Sequence, residues 1–447
     1  MSSSTVLPSA RLTALPAGDH RLHGARPPVD LAAVGWSEVE HTAEGVARAP
    51  SGQEASYVVR VLLRQPPPAS ASGTLCAEWL NVSSGAEAAP EWTYLADELV
   101  RAGHAWAGVS AQVVGVSGGA GSVAVDGGAP PAAPGLVGAD PERYGHLVHP
   151  GDAWCHDIYV QVSRAVRDLV SASLVLAVGE SQSACMLARH LVSVHGLESP
   201  FGGYLVHSRA GSIPRRVPEG TQHTMADVLA QRPGRLPDDL VPTLVVQTET
   251  DVIGRMRSLP ARQPDGPMLR TWEVAGTAHA DKFQIDAFEE LLGCPTPVNR
   301  GQQVYVLRAG LRALEEWARD GAAPPAAEPL VVEPLVVEGV EGAESYAVDE
   351  LGNVLGGVRT PAVDVAVERL SGFAPEGASL ICQLFGSTTP LPAETLRSRW
   401  GAAEQYLSAY ARATEAMIAA GFACPEDRQA ILSEARPGVL TGGQDPS

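Results

Sequence analysis

The stretch Leu174–Leu191, LVLAVGESQSACMLARHL, constrains this chain more than any other. Leu174 to Val178 is a short apolar run, long enough for a buried strand. Gly179-Glu180-Ser181-Gln182-Ser183 is a tight turn with small residues on both sides of a central serine. From Ala184 the spacing becomes helical. Ala184, Leu187, Ala188 and Leu191 share one face, and Gly196 is the expected stop. A strand, a sharp turn carrying serine and a helix together predict a nucleophile elbow. Such a turn strains the serine backbone, and bulky residues two positions away would collide with the strand or the helix. The usual G-x-S-x-G reads G-x-S-x-S here, one small residue for another. The bland alternative for Ser181 is a helix N-cap, a common place for serine.

A stricter match, Gly115-Val116-Ser117-Gly118-Gly119, is rejected because of the residues after Ser117. GGAGSVAVDGGAPPAAPG is too rich in Gly, Pro and Ala to form the helix that an elbow needs. Ser117 is therefore expected in a loop.

The chain has 447 residues, enough for a large core and more than one unit. Its net charge of −19 argues against nucleic acid or an anionic membrane as partner. Cys76, Cys155, Cys185, Cys294, Cys382 and Cys424 form no C-x-x-C pair, so buried free thiols are expected rather than a zinc or redox motif. No metal-ligand spacing is present, so neither a metal nor a cofactor is expected. The opening MSSSTVLPSARLTALPAGDHRL has no basic stretch leading into an apolar segment, and no run of eighteen apolar residues occurs. A cytoplasmic protein without a signal peptide or membrane span is the expectation.

In chain order, residues 1–50 are Pro/Gly/Ala-rich and are expected to be an N-terminal extension. Strands are predicted at Ser56–Leu63, Gly73–Val82 and His104–Ser110, with a helix at Glu91–Arg101 closed by Gly103. This order opens an α/β sheet. Gly115–Gly135 is a low-complexity loop. Asp157–Val170 is an amphipathic helix with Ile158, Val162, Ala165 and Leu169 on one face. A strand at Phe201–His207 follows the elbow. Gly211–Leu240 is polar and proline-punctuated, only partly helical, and expected to be a lid. Val241–Val252 and Leu269–Asp281 each read as a strand and a polar loop. Gln302–Asp320 is a helix lined by Val304, Leu307, Leu311, Leu314 and Ala318 and capped by Gly321. The core is expected to span 51–325. The remainder, 326–447, opens on a linker with a tandem PLVVE pentad. It carries a helix from about Leu396 to Gly421 and is expected to be an appendage. The final GGQDPS is expected to be disordered.

A serine hydroxyl needs a base, and the base needs an orienting acid. Asp251 lies just past LVVQTET, and His279 lies in the small-residue loop AGTAHAD after the WEV strand. The order serine, acid, histidine, with each partner in a loop after a strand, matches the elbow. His207 precedes any acid and is expected in a structural or pocket-lining role. His156 precedes a helix and is expected at the surface or in a first turn. Glu249 is the alternative acid. Along an extended strand it would share a face with Asp251, so parity does not separate them. Asp251 stands further past the strand end and is preferred. The oxyanion donors are expected to be the N–H of Gln182 and one from Val82 or Ser83, with Asn81 nearby at the substrate.

The segments GESQSA, VHSR, VPTLVVQTETDV, RQPDG and WEVAGTAHAD, with EWLNVSSG, HPGDAWCHDIY, LRALEEWARDGAAPP and LGNVLGGVRTP, resemble a family of α/β-hydrolase-domain proteins. The resemblance runs from about residue 50 to 435. It implies an α/β-hydrolase fold with a mostly parallel central sheet. It further implies Ser181 as nucleophile, His279 as base, an acid at Glu249 or Asp251, and esterase-like activity. The reading is a hydrolase of a small-molecule carboxylic ester working through an acyl-enzyme. Acyl transfer or amide or lactone cleavage by the same residues, and a non-catalytic binding module of the same fold, are the alternatives.

Overall fold

A computed structural model describes residues 9–20, 22, 24, 29–121, 132–193, 199–335 and 343–441. The expected stop at Gly196, the middle of the Gly115–Gly135 loop, the last three residues of the second PLVVE and the final GGQDPS lie outside these residues. Among the described residues one sheet of nine strands dominates. They are β1 (Arg11–Ala14), β2 (Ser37–Arg48), β3 (Glu54–Gln65), β4 (Thr74–Trp79), β5 (Ala105–Val109), β6 (Leu174–Glu180), β7 (Gly203–His207), β8 (Thr243–Thr248) and β9 (Leu269–Val274). Their spatial order is β1-β2-β3-β5-β4-β6-β7-β8-β9. β1, β2 and β3 join antiparallel, as do β3 and β5, and every pairing from β5 to β9 is parallel.

Alternation along each strand assigns side chains to two covered faces. On one face Leu75, Ala77, Val175, Ala177 and Val206 pack with helix α2 (Cys155–Leu169) and helix α3 (Gln182–Ser193). On the other, Cys76, Leu176, Val178, Leu205 and Val246 meet helix α1 (Pro90–Ala102) and helix α4 (Gln303–Asp320). The predicted face of α3 is the buried one. In α2, Ile158, Val162 and Ala165 are buried as expected, but Leu169 is exposed, because it sits in the last turn where the helix leaves the sheet. Glu78 on β4 accepts the N–H groups of Glu91 and Trp92 at 3.0 and 2.9 Å, so a strand carboxylate caps α1.

The chain steps from β4 out to β5 and then returns across β4 to β6. The ends of β4 and β6 thus flank a topological switch point, where open α/β sheets hold their ligands. Asn81, just past β4, donates from its side chain to the Glu180 carbonyl at 3.1 Å and ties the two strand ends together.

Several expectations change. The sheet starts inside the segment expected as an N-terminal extension, since β2 pairs with β3 over twelve residues. The Leu396–Gly421 helix is two helices, Ala393–Trp400 and α5 (Ala403–Ala419), because Gly401 takes a left-handed φ of 66° between them. Two of the six cysteines are not free: Cys294 and Cys382 form a disulfide, while Cys76, Cys155, Cys185 and Cys424 are buried thiols. The bridged pair is 88 positions apart, a pairing that spacing alone does not reveal. Among the described residues no helix is long and apolar enough to cross a membrane.

The segment after α4 is built onto the β9 end of the sheet. Val358 pairs with Val274 at the end of β9, and the Leu384 and Phe385 carbonyls accept from the N–H groups of Ala280 and Asn299. The disulfide joins the same two regions.

Candidate active site

Ser181 follows the last residue of β6 and precedes α3, with a φ of 62°. A non-glycine residue in the left-handed region is uncommon and costs energy that surrounding structure must hold. The small neighbours permit it. A Cβ placed on Gly179 would lie 3.0 Å from the Ser183 Cβ and 3.2 Å from Leu187. Ser181 N–H donates to the His207 carbonyl at 2.9 Å, which pins the turn to β7. Ser117, in contrast, is exposed, not in the expected loop but at the end of the short helix Val113–Ser117, and the strand Gly119–Ala120 follows it.

His279 lies in the loop after β9. Its Nε2 is 2.8 Å from Ser181 Oγ and its Nδ1 is 2.7 Å from Asp251 Oδ1. All three residues are buried, with Ser181 the most open at 8 %. The second carboxylate oxygen of Asp251 accepts from Ser208 Oγ at 2.7 Å and from Thr248 N and Oγ1 at 2.8 and 2.7 Å. Burial alone would raise the Asp251 pKa. The His279 charge and these hydrogen bonds outweigh it and hold the carboxyl below its ordinary range. For His279, burial favours the neutral ring, but the Asp251 charge and hydrogen bond, with Glu180 adding, raise its pKa above 6.5.

Glu249 does not reach the histidine. Residues Glu249–Val252 form a single helical turn with Thr248 at its N-cap, not the extended strand that the sequence suggests. Two positions on a helix turn through about 200°, so the two acids point apart. Glu249 instead accepts the N–H groups of Gly276 and Gly372 at 2.6 and 2.8 Å, and burial lifts its pKa to about 7. Thr250 Oγ1 accepts from His279 N at 3.2 Å and donates to the Gly372 carbonyl at 2.6 Å. Gly372 therefore braces both the acid turn and the histidine loop.

Asn81 is spent on the Glu180 carbonyl, and its Oδ1 takes the Ser83 N–H at 2.8 Å. His207 is fully buried on the face toward α1, not in a pocket. Its Nδ1 lies 3.3 Å from Glu91 Oε1. Burial would lower its pKa, but Glu91, helped by Glu180 and Asp251, raises it to about 9. Glu180, beside it, is pushed by burial to about 7 against the pull of His279 and His207. Residues 211–240 hold only the five-residue helix Met225–Leu229. Met225 and Val228 pack on Cys185 of α3 and on Met256.

Sequence reasoning missed Ser208, Thr248, Thr250 and Gly372. Ser208 had a signal, as the serine of VHSR. Gly372 had none, being distant in the chain from everything it braces.

Over residues 9–433 the chain matches the model of the alpha/beta hydrolase domain family. It belongs to that family. Among solved structures it is similar to a serine hydrolase without lid from Xanthomonas campestris, at 14% identity over 61% of this chain and 94% of that one, with a TM-score of 0.31. Candida antarctica lipase A in its closed state gives 9% identity over 71% and 83%, with a TM-score of 0.38. A thermostable carboxyl esterase from Bacillus coagulans gives 14% over 39% and 46%, with a TM-score of 0.24. No curated protein sequence matches the chain. In this α/β-hydrolase the central sheet is mostly parallel, as the family resemblance implied.

Proposed function

We propose that this α/β-hydrolase cleaves a small-molecule carboxylic ester through an acyl-enzyme. The observation that carries the reading is the continuous hydrogen-bonded line from Ser181 Oγ through His279 to Asp251, at 2.8 and 2.7 Å. In the first step Ser181 Oγ attacks the ester carbonyl and its proton passes to His279 Nε2. Asp251 holds Nδ1–H, fixes the tautomer and stabilises the imidazolium. The oxyanion forms against the Gln182 N–H at the start of α3, whose first N–H groups have no intrahelical acceptor. Ser83 is withdrawn as second donor by its bond to Asn81, which leaves Val82 for that role. The alcohol departs with the proton from His279, and water then repeats the sequence on the acyl-serine.

The test is covalent labelling with a fluorophosphonate, followed by peptide mapping. Modification at Ser181 is expected in the wild type and none in His279→Ala at the same exposure time. An unlabelled Ser181 in folded protein would overturn the assignment. Product analysis with an added alcohol separates hydrolysis from acyl transfer, and a panel of esters, amides and lactones identifies the bond. The expected cytoplasmic setting is harder to keep beside the Cys294–Cys382 bridge, since disulfides persist mainly in oxidising compartments. Thiol counting on protein taken directly from the cell decides between them.

A further inference from the structure

A second cluster of reactive side chains sits on the other side of the elbow and takes no part in the serine chemistry. Cys155 and His156 open α2, and His223 comes from the segment expected as a lid. One ligand atom from each, the Cys155 sulfur and an imidazole nitrogen from each histidine, lies within 4.8 Å of both others. Cys155 and His223 are buried, at 0 and 7 % exposure. His156 is not the surface residue that the sequence allowed. Both its ring nitrogens are buried and neither has a hydrogen-bond partner. Buried polar atoms are nearly always paired, so this orphaned ring calls for a ligand, and a cation would take one of its two nitrogens. The rest of the ring is held by aromatic contacts, to Trp79 at 5.3 Å and to His190 at 5.7 Å between centroids.

We propose that Cys155, His156 and His223 bind one thiophilic divalent cation of the zinc type. One thiolate and two imidazoles are the donors zinc prefers, and three protein donors leave the fourth tetrahedral position for water. The surroundings fit an outer shell that orients ligands. Asp152 accepts the His223 N–H at 2.8 Å, which sets the main chain of that ligand. Its carboxylate also takes Val113 N at 2.9 Å and Gln112 Nε2 at 3.4 Å. Gln112 Oε1 in turn accepts from Trp79 Nε1 at 2.9 Å and from Gln182 Nε2 at 2.6 Å. The cation therefore cross-links the loop carrying His223 to the start of α2, one hydrogen-bonded frame away from the residue that follows Ser181. Its task is to fix that loop beside the elbow. Cys155 gives up its proton on binding, as any thiolate ligand must.

The spacing Cys-His followed by a histidine in a distant loop resembles no zinc motif, which is why the site is not legible in the sequence. It does not depend on the esterase reading, and its test needs no substrate. Untagged full-length protein is loaded with zinc, passed through gel filtration and assayed for metal. The same is done with cobalt, whose thiolate complex absorbs in the near ultraviolet. About one ion per chain is expected in the wild type, with a thiolate–cobalt band. Cys155→Ser should abolish the band and His223→Gln should cut retention at least tenfold. Cys185→Ser and Cys424→Ser should retain both. Zinc should raise the midpoint of thermal unfolding of the wild type and leave that of His223→Gln unchanged. If Cys155→Ser does not fold, His223→Gln, altered in a loop, carries the test. Wild type that holds no metal after filtration, or His223→Gln that holds as much as wild type, overturns the proposal.

Discussion

Ser181 and Ser117 both satisfy a small-x-serine-x-small pattern, yet only one has a left-handed backbone and an imidazole within 2.8 Å. Ser181→Ala is expected to lower kcat/KM by roughly four to six orders of magnitude, and Ser117→Ala to leave it unchanged, in steady-state assays on a chromogenic ester. The two acids separate in kind as well as in size. Asp251→Asn should cost about four orders of magnitude in kcat by favouring the wrong tautomer. Glu249→Gln can still accept one of its two backbone N–H groups, so its main effect should be a loss of about 1–3 kcal/mol in stability, read by denaturant titration, with activity reduced far less. The pH profile follows from the raised His279 pKa. In the proposed mechanism the base works only as the neutral ring, so kcat/KM is expected to fall on the acid side with an apparent pKa above the ordinary 6.5 of histidine. The Glu180 charge contributes to that rise, so Glu180→Gln should move the acid limb to lower pH. A limb that stays in place in that variant would show that Glu180 is screened from the imidazole.

At the scale of elements, what could be read in the sequence was what is local. The elbow was legible because strand, turn and helix are adjacent and each has its own period. The order serine, acid, histidine was legible because each follows an apolar strand. The acid turn was misread because QTETDV continues a β-rich run, and only the Thr248 cap converts it to a helical turn. The bracing of that turn by Gly372 was invisible, since nothing in SGF marks which backbone it will meet. A Cβ at 372 would lie 2.5 Å from the Glu249 Cβ, 2.7 Å from Thr250 N and 2.8 Å from Thr277 O. Backbone cannot yield as a side chain tip can. Gly372→Ala is therefore expected to cost about 1–3 kcal/mol in stability and to lower kcat as well, by shifting the Thr250 hydroxyl that holds His279. Normal turnover in a variant that melts early would separate the brace from the chemistry.

For the molecule as a whole, the disulfide is a long-range feature whose effect on stability can be tested alone. A closed loop of 88 residues is worth about 4.6 kcal/mol by chain entropy, and strain or residual structure reduces that figure. Reductant is expected to lower the midpoint of thermal unfolding in scanning calorimetry. Cys382→Ser should melt at the lower midpoint with or without reductant. Equal midpoints for wild type in both conditions would show that the bridge is absent or idle. The C-terminal quarter looked separable because its composition changes at the GAAPPAAEP linker. Its hydrogen bonds to Ala280 and Asn299 and the Val274–Val358 bridge depend on which strand end it lands beside, and composition carries no record of that. The position of Gly372 also has a bearing on synthesis. A ribosome makes the serine, its histidine and its acid well before it reaches residue 372, and domains fold as they emerge. Until that glycine and the carbonyls at 384 and 385 are out of the exit tunnel, the histidine loop lacks its support. On the proposed reading the growing chain carries all three groups for a long interval without the scaffold that aligns them, so hydrolytic competence is expected to arrive late in translation.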